Sequence, residues 1–388
     1  MKEKLLEVFA HKFGKTDGIR YFFAPGRVNL MGDHVDYCMG TTLPCALELG
    51  TYAAVRKNGL RMVRMFSIGY ENAGVITSLL SPISNQKDQQ WANYPLGVVK
   101  TFLDADYELS EGFDVVYAAD LPANSGLSSS ASIEVLTAYF LCRMYDFNLT
   151  LADMACLCKK AENEFIGMQC GILDQLSSAM GKAGHAIYMN TNTLECKYAP
   201  FDLGDYELLI INSNKKHDLV ETKYNERRAE CEQALKILSA QSPKEALCGY
   251  TKEEFEKLSG CFTDEVLKRR ARHVILENER TKATFEAFLS GDLKKVGQLF
   301  YESHESLSKD YEVSCKETDF IVNFAKKYDE VLGARMTGGG FGGCVIAIVK
   351  KEFSQLFSAE LDISYFAAMG YRPTILTAKA GQGPTELL

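Results

Sequence analysis

The sequence predicts an α+β fold of two domains with a ligand site between them, and two patterns carry that prediction. In the first third, residues 18–24, 42–57, 61–67 and 113–118 alternate or run apolar with aromatic and β-branched content, so they read as strands around a glycine-containing turn. In the second half, long charged amphipathic segments at 218–239, 263–289, 292–308 and 316–328 read as helices. They lead into a Gly-rich loop between two apolar runs, VLGARMT and CVIAIVK. A chain of 388 residues has room for two cores, since single domains commonly hold about 100–200 residues.

The intervening elements follow in order. From Ser128 to Phe147 the run SSSASIEVLTAYFLCRMYDF is apolar on most faces, which fits a buried helix. Thr150 and Asp153 make a capping-box-like start for the next helix, expected to run to about Ile166 with Leu151, Met154, Leu157, Cys158, Ala161 and Phe165 at helical spacing. HAIYM (185–189) and YELLIINS (206–213) read as strands. The turn-rich TNTLECKYAPFDLGD between them places the domain boundary near 190–205, dividing the chain into 1–195 and 196–388. A final helix and the strand-like TILTAK close the chain, and no repeat of solenoid period is present.

Composition narrows the function classes. Apolar residues make up 46% and charged residues 24%, near the averages for globular proteins, so an ordered chain is expected. The N-terminal MKEKLLEVFAHKFG is charged from its second residue and lacks the apolar core of a signal peptide, and no window approaches roughly 18 uncharged apolar residues. A cytosolic protein without a membrane span is therefore expected. The twelve cysteines are expected to serve as small buried hydrophobes and not as a disulfide framework. Cys156 and Cys158 form CxC, and His11, His34, His185, His217, His273 and His304 never fall into zinc-ligand spacing, so zinc is not expected. A net charge of −8 opposes nucleic-acid binding, which needs a concentrated basic surface. Any phosphate has to be held locally.

Four segments carry chemistry. LPANSGLSSSAS (121–132) is a Pro-Gly-Ser turn entering the buried helix, where unsatisfied N–H groups and the helix dipole can hold phosphate without a basic side chain. Gly126 permits close approach, and Ser128, Ser129 and Ser130 offer hydroxyls; the bland alternative is an ordinary Ser-rich cap. TGGGFGGC (337–344) holds more glycine than a hairpin needs, so close approach of a ligand is expected there, with Phe341 suited to a packed loop. APGRVNLMGDHVDY (24–37) crowds Arg27, Asp33, His34 and Asp36 into a strand-flanked turn. Carboxylates so placed can fix several sugar hydroxyls, unless Arg27 and Asp36 merely form a surface ion pair. In ENEFIGMQCGILDQLSSAMG (162–181), Asp174 sits among apolar and small residues, and either caps a helix or is held ionised by a cation.

In this order the four segments resemble galactokinases, within the GHMP superfamily of small-molecule kinases; CGILDQ, WANY (91–94) and YNERR (224–228) extend the resemblance over roughly residues 20 to 350. The resemblance implies an N-terminal ribosomal-S5-like domain and a C-terminal ferredoxin-like domain with the active site in the cleft between them. It implies Asp174 as the catalytic carboxylate with Arg27 as its partner, and sugar contacts from Asp33, His34, Asp36, Gly171 and Tyr224. ATP would lie on the loop at 122–132, through Pro122, Ser125, Gly126, Leu127, Ser128, Ser129 and Ser130, with Trp91 beside adenine. Ser130 and Glu162 would hold Mg²⁺, unless Glu162 is a solvated helix-face charge beside Glu164.

The implied reaction is ATP-dependent phosphorylation of the anomeric hydroxyl of D-galactose to α-D-galactose 1-phosphate, by a monomer acting on small molecules without nucleic acid or membrane. Two departures from the family pattern, Asp33 where Glu is usual and Cys38-Met39 where Asn-Gly is usual, lie at the sugar end. They keep N-acetylgalactosamine or another galactose-like sugar open as the substrate; the alternative of another class is a non-catalytic sugar sensor.

Overall fold

The computed structural model describes residues 1–85, 90–122, 126–168, 170–215 and 220–388; Ser125 and His217 lie outside them. The chain opens with α1 (Lys2–Phe13), β1 (Arg20–Met31), β2 (Thr41–Lys57), β3 (Met62–Ser67) and β4 (Ile76–Leu79). Then come α2 (Gln90–Asp104), β5 (Phe113–Ala119), α3 (Ser129–Tyr145), α4 (Leu151–Lys160) and α5 (Leu173–Ala179). A second stretch runs β6 (His185–Asn190), β7 (Cys196–Pro200), β8 (Tyr206–Asn212), α6 (Val220–Ser239), α7 (Lys252–Leu258), α8 (Glu265–Ser290) and α9 (Leu293–Lys309). It ends with α10 (Lys316–Ala325), β9 (Val331–Thr337), β10 (Cys344–Lys350), α11 (Ser354–Met369), β11 (Thr374–Ala378) and β12 (Thr385–Leu387).

The strands form two sheets. The larger runs β12-β1-β2-β5-β3-β4, with β6 joined to β2 and β7 to β6; the smaller, antiparallel sheet runs β11-β8-β10-β9. A division at 195/196 would split the β6–β7 hairpin, in which His185 pairs with Pro200 and Met189 with Cys196. The turn-rich stretch is a hairpin turn plus its second strand. The end of the chain also returns to the first sheet, where Leu387 pairs with Tyr21. Such pairings join residues hundreds of positions apart and leave no local trace in the sequence.

Helix α3 is buried on most of its surface and packs with α2 and α4 against the large sheet, sharing a core with Phe22, Val55, Phe113 and Tyr117. A second core joins the two sheets: Val28, Leu30, Leu43 and Leu47 meet Leu208, Ile210, Ile346 and Phe288. Burying each such side chain contributes about 1.5–3 kcal/mol, so the two halves are held together firmly. Polar stitches cross the same junction, with Thr337 Oγ1 donating to the Asn29 carbonyl at 2.7 Å and Arg335 Nη1 to the Leu30 carbonyl at 2.7 Å.

One local feature differs from expectation. The helix begun by the Thr150–Asp153 capping box is α-helical only to Lys160 and continues as a π-helical turn, Ala161–Ile166. The i→i+5 widening rotates Glu162 inward while Glu164 stays exposed near Lys160. The Gly-rich loop after β9 approaches protein: a Cβ on Gly340 would lie 2.3 Å from the Val313 carbonyl, and the Phe341 N–H donates to that carbonyl at 2.6 Å. Phe341 carries Lys223 and Arg227 over its ring, at 5.2 and 5.9 Å.

Candidate active site

Strand β1 and the turn before α3 meet at one point, and the sequence dictates the meeting. Register with β2 shifts between Pro25 and Arg27, a bulge at a residue with no N–H to give the ladder. The Arg27 N–H turns instead to the Leu127 carbonyl at 3.1 Å. A Cβ on Gly26 would sit 2.6 Å from that same oxygen, so only glycine lets the two segments touch. Ser132, one turn into α3, donates to the Ala24 carbonyl at 2.9 Å and accepts from the Thr51 N–H at 3.1 Å, clamping the helix to β1 and β2. Ser178 on α5 donates to the Pro25 carbonyl at 2.7 Å.

These clamps bring Arg27 and Asp174 together. Arg27 Nε and Nη2 donate to Asp174 Oδ1 at 2.8 and 2.7 Å, while Nη1 donates to the Gly126 carbonyl at 2.8 Å. Ser128 Oγ donates to Asp174 Oδ2 at 2.6 Å. Arg27 is nearly buried, whereas a third of the Asp174 side chain is open. Of the two readings left open for Asp174, the geometry supplies the cation. Arg27 makes no ion pair with Asp36.

Asp174 stands on the wall of a cavity of about 570 Å³ that Arg27, Asp33, His34, Asp36, Gly171, Tyr224, Gly338 and Gly339 also line. All five expected sugar contacts thus share one cavity, but they are not equivalent. Asp33 is committed to protein: Oδ1 accepts from Asn29 Nδ2 at 2.7 Å and from the Gly338 N–H at 3.1 Å, and Oδ2 from Arg335 Nη2 at 2.5 Å. Its carboxyl is pushed up by burial, against the pull of Arg335. Asp33 lines the cavity and at the same time holds these protein groups. Its carboxylate anchors the Gly-rich loop to the end of β1, because the buried Arg335 behind it demands an anion.

His34 lies in the left-handed region at φ 65° and its Nδ1 is bonded to the Tyr37 hydroxyl at 2.9 Å, which meets the Tyr311 hydroxyl at 2.6 Å. Burial holds its imidazole down to about 3, so it is neutral at pH 7. Its Nε2 is buried beside the Gly339 backbone. Tyr224 on α6 packs its ring 5.4 Å from His34 and against Gly339. Of the departing pair, Cys38 is buried against Cys231, and Met39 is exposed at φ 57°.

Gly171 is explained by space. A Cβ there would lie 2.2 Å from Asp36 Oδ2, so alanine has to push the carboxylate out of place. Gly171→Ala is expected to cost about 1–3 kcal/mol as overpacking, or roughly 5–150-fold in ligand affinity. Calorimetric titration with galactose checks this, and unchanged affinity removes Asp36 from the ligand contacts.

The turn before α3 has Gly126 at φ 68° with open space around it, Leu127 buried in the junction core, and Ser129 exposed. Pro122 is half-buried at its other end. Ser130 is hydrogen-bonded to Glu162, whose residue is 4% exposed and therefore no solvated helix charge. Glu162 Oε2 also accepts from Gln175 Nε2 at 2.5 Å and Cys170 Sγ at 3.2 Å, and burial pushes its carboxyl up. Trp91 stands on α2 with its ring 6.0 Å from Tyr117 and 6.3 Å from Tyr70, outside the cavity lining, and its Nε1–H is buried without a partner among the described residues.

Sequence reasoning missed Arg335, Asn29, Glu134 and Gln175. Arg335 was visible as the one cation between β9 residues and the Gly run, but nothing local tells a buried arginine from a surface one.

Known proteins resemble this chain along its whole length. The galactokinase galactose-binding signature matches residues 7–57, and the N- and C-terminal GHMP kinase domains match 93–182 and 284–359. Galactokinase of Bacillus subtilis (strain 168) is 42% identical over 387 residues, covering 100% of this chain and 99% of that one. Galactokinase of Clostridium beijerinckii is 41% identical, covering 98% and 97%. The crystal structure of Lactococcus lactis galactokinase complexed with galactose superposes with a TM-score of 0.96 at 39% identity, covering both chains completely. Methanococcus jannaschii mevalonate kinase, at 21% identity and a TM-score of 0.64 over 95% of this chain and 99% of its own, shares the fold.

Proposed function

The chain belongs to the galactokinase family of GHMP kinases, and on that premise we propose that it transfers the γ-phosphoryl group of ATP to the anomeric hydroxyl of D-galactose, giving α-D-galactose 1-phosphate and ADP. One observation carries the reading of the site. Asp174 is held by Arg27 and Ser128 where the turn before α3 opens into the cavity walled by Asp36, His34 and Tyr224.

Catalysis here is positioning plus stabilisation of charge. Asp174 accepts the hydrogen bond of the anomeric hydroxyl and aims its oxygen at the phosphorus. Arg27 sets a counter-charge beside both the carboxylate and the turn, where negative charge on the transferring group accumulates. The open backbone at Gly126 and the start of α3, with Ser129 and Ser130, receives the phosphates of ATP. Trp91 is the aromatic candidate for the adenine side.

Mg²⁺ fits the donors present. Ser130 and Glu162 supply adjacent oxygens of the kind a hard cation takes, and Glu134 Oε1 and Gln175 Oε1 are buried nearby without partners among the described residues. Among those residues no group of three or more His, Cys, Asp and Glu is arranged around a metal. Bound there, it would neutralise phosphate charge. The twelve free cysteines favour a reducing cytosol, and no described helix is long and apolar enough to cross a membrane.

An ADP-release assay over galactose, N-acetylgalactosamine, L-arabinose, glucose and galacturonate tests the reading. Galactose is expected to give the highest kcat/KM, and no ADP release with galactose overturns it.

A pH effect follows from Asp36, whose carboxyl is pushed up to about 6 by burial and then by the neighbouring Asp174. As pH falls through about 6, Asp36 gains a proton and loses acceptor capacity, so kcat/KM for galactose is expected to fall. The stability term has the opposite sign. The folded state binds more protons than the unfolded one between the ordinary carboxylate value and about 6, so that contribution is present below this window and lost as pH rises through it. Asp36→Asn is expected to remove the acid limb, as a pH series of kcat/KM will show.

A further inference from the structure

Ser128 is poorly explained as a phosphate-loop residue alone. It precedes α3 at φ 58° and ψ 51°, in the left-handed region that glycine enters without strain and serine seldom occupies. It stands at the helix N-cap, where a serine hydroxyl usually accepts from the first turn, yet it makes no such bond. The backbone conformation favours another residue and the cap is unused, so the contribution of serine here has to come from where its hydroxyl goes.

That hydroxyl goes to Asp174, 46 residues away, at 2.6 Å from Oδ2. Arg27 already gives its Nε and Nη2 donors to Oδ1. Without Ser128, Oδ2 has no partner among the described residues, and the carboxylate is tethered at one oxygen only. The hydroxyl has a single hydrogen, and it is spent on the carboxylate and not on a phosphate oxygen. Its own placement is rigid. The Ser128 carbonyl accepts the Ser132 N–H at 2.9 Å, Leu127 is fixed to Arg27, and the residue is 8% exposed.

We propose that Ser128 is a positioning residue for phosphoryl transfer, fixing Oδ2 of Asp174 so that the carboxylate meets the anomeric hydroxyl in one orientation. This rests on the reading of Asp174 as the group that receives that hydroxyl. In the observed left-handed conformation Oγ reaches across to Asp174 on α5.

The test compares Ser128→Gly and Ser128→Ala with Asp174→Asn, measuring kcat, KM for galactose and for ATP, and thermal midpoint. Glycine removes the hydroxyl and relieves the backbone; alanine removes the hydroxyl and keeps the strain. The loss common to both therefore reports the hydroxyl, and any gap between them reports strain, so a poorly folding alanine variant leaves the glycine result decisive. The expected result is a fall in kcat of about tenfold to a hundredfold in Ser128→Gly, the range for a lost hydrogen bond to a charged group, with both KM values within about threefold. Added to Asp174→Asn, Ser128→Gly should cost nothing further, since it acts through that carboxylate. Wild-type kcat in Ser128→Gly, or a loss confined to KM for ATP, overturns the proposal while leaving Asp174 in its role. If Asp174→Asn itself keeps normal turnover, the underlying reading of the site fails and this one with it.

Discussion

Asp174→Asn is expected to lower kcat about 10²–10⁴-fold, the span for loss of a positioned acid–base group, while galactose and ATP affinities stay within about tenfold. The substitution keeps shape and removes an acceptor. In the wild type all of the donors around the carboxylate, Arg27 Nε, Arg27 Nη2 and Ser128 Oγ, point at it. An amide can satisfy Arg27 with its carbonyl oxygen, but its NH₂ group then faces Ser128 and the cavity as a donor. The anomeric hydroxyl loses the group that accepts from it, and Arg27 loses its counter-charge. Binding should be spared because the cavity walls at Asp36, His34 and Tyr224 are untouched. Steady-state kinetics beside calorimetric binding separates the two. Substantial residual kcat would place the chemistry elsewhere in the cavity.

Arg335→Ala is expected to destabilise the protein by about 3–5 kcal/mol, as when one partner of a buried ion pair is removed, and to lower galactose affinity at the same time. Arg335 is fully buried, bonded to Asp33 Oδ2 at 2.5 Å and to the Leu30 carbonyl at 2.7 Å, with Glu277 Oε1 at 3.5 Å. Its removal leaves two buried carboxylates facing a cavity. Glu277 keeps Arg280 and Ser303, which help hold its carboxyl down to about 2, but Asp33 keeps only the neutral donors Asn29 and Gly338. The Gly338 end of the loop should then detach from β1. Denaturant unfolding measures the first effect and galactose titration the second. Asp33→Asn should be milder, because an amide still accepts from Arg335. A stability within about 1 kcal/mol of wild type for Arg335→Ala would mean that water replaces the guanidinium without cost, contrary to the price of uncompensated buried charge.

The sequence by itself determined the identity of the elements and the chemistry on offer. Alternation and β-branching placed the start of β1 and β2, β5, β6 and β8; amphipathic spacing placed α6, α8, α9 and α10, and a continuous apolar run placed α3, because these signals are local. The Thr150–Asp153 box was legible for the same reason, being four residues long. The segments bearing Arg27, Asp36, Gly171 and Asp174 were legible as motifs, since close-packed turns and buried carboxylates demand particular residue types in short windows.

Only the tertiary structure decided which of those groups face one another. Arg27 and Asp174 are 147 residues apart, and Asp33 and Arg335 are 302 apart. Over such separations the chain carries no periodicity, and the pairing is set by how the β1 bulge, the clamp of Ser132 and the core shared by the two sheets seat the elements. The same seating paired Asp33 with the buried Arg335 and turned Glu162 inward on a π-helical turn. It also sent the Ser128 hydroxyl away from its own helix. Each outcome depends on burial and on which partner lies within about 3 Å, the range over which a hydrogen bond forms, and neither quantity exists until the fold is complete.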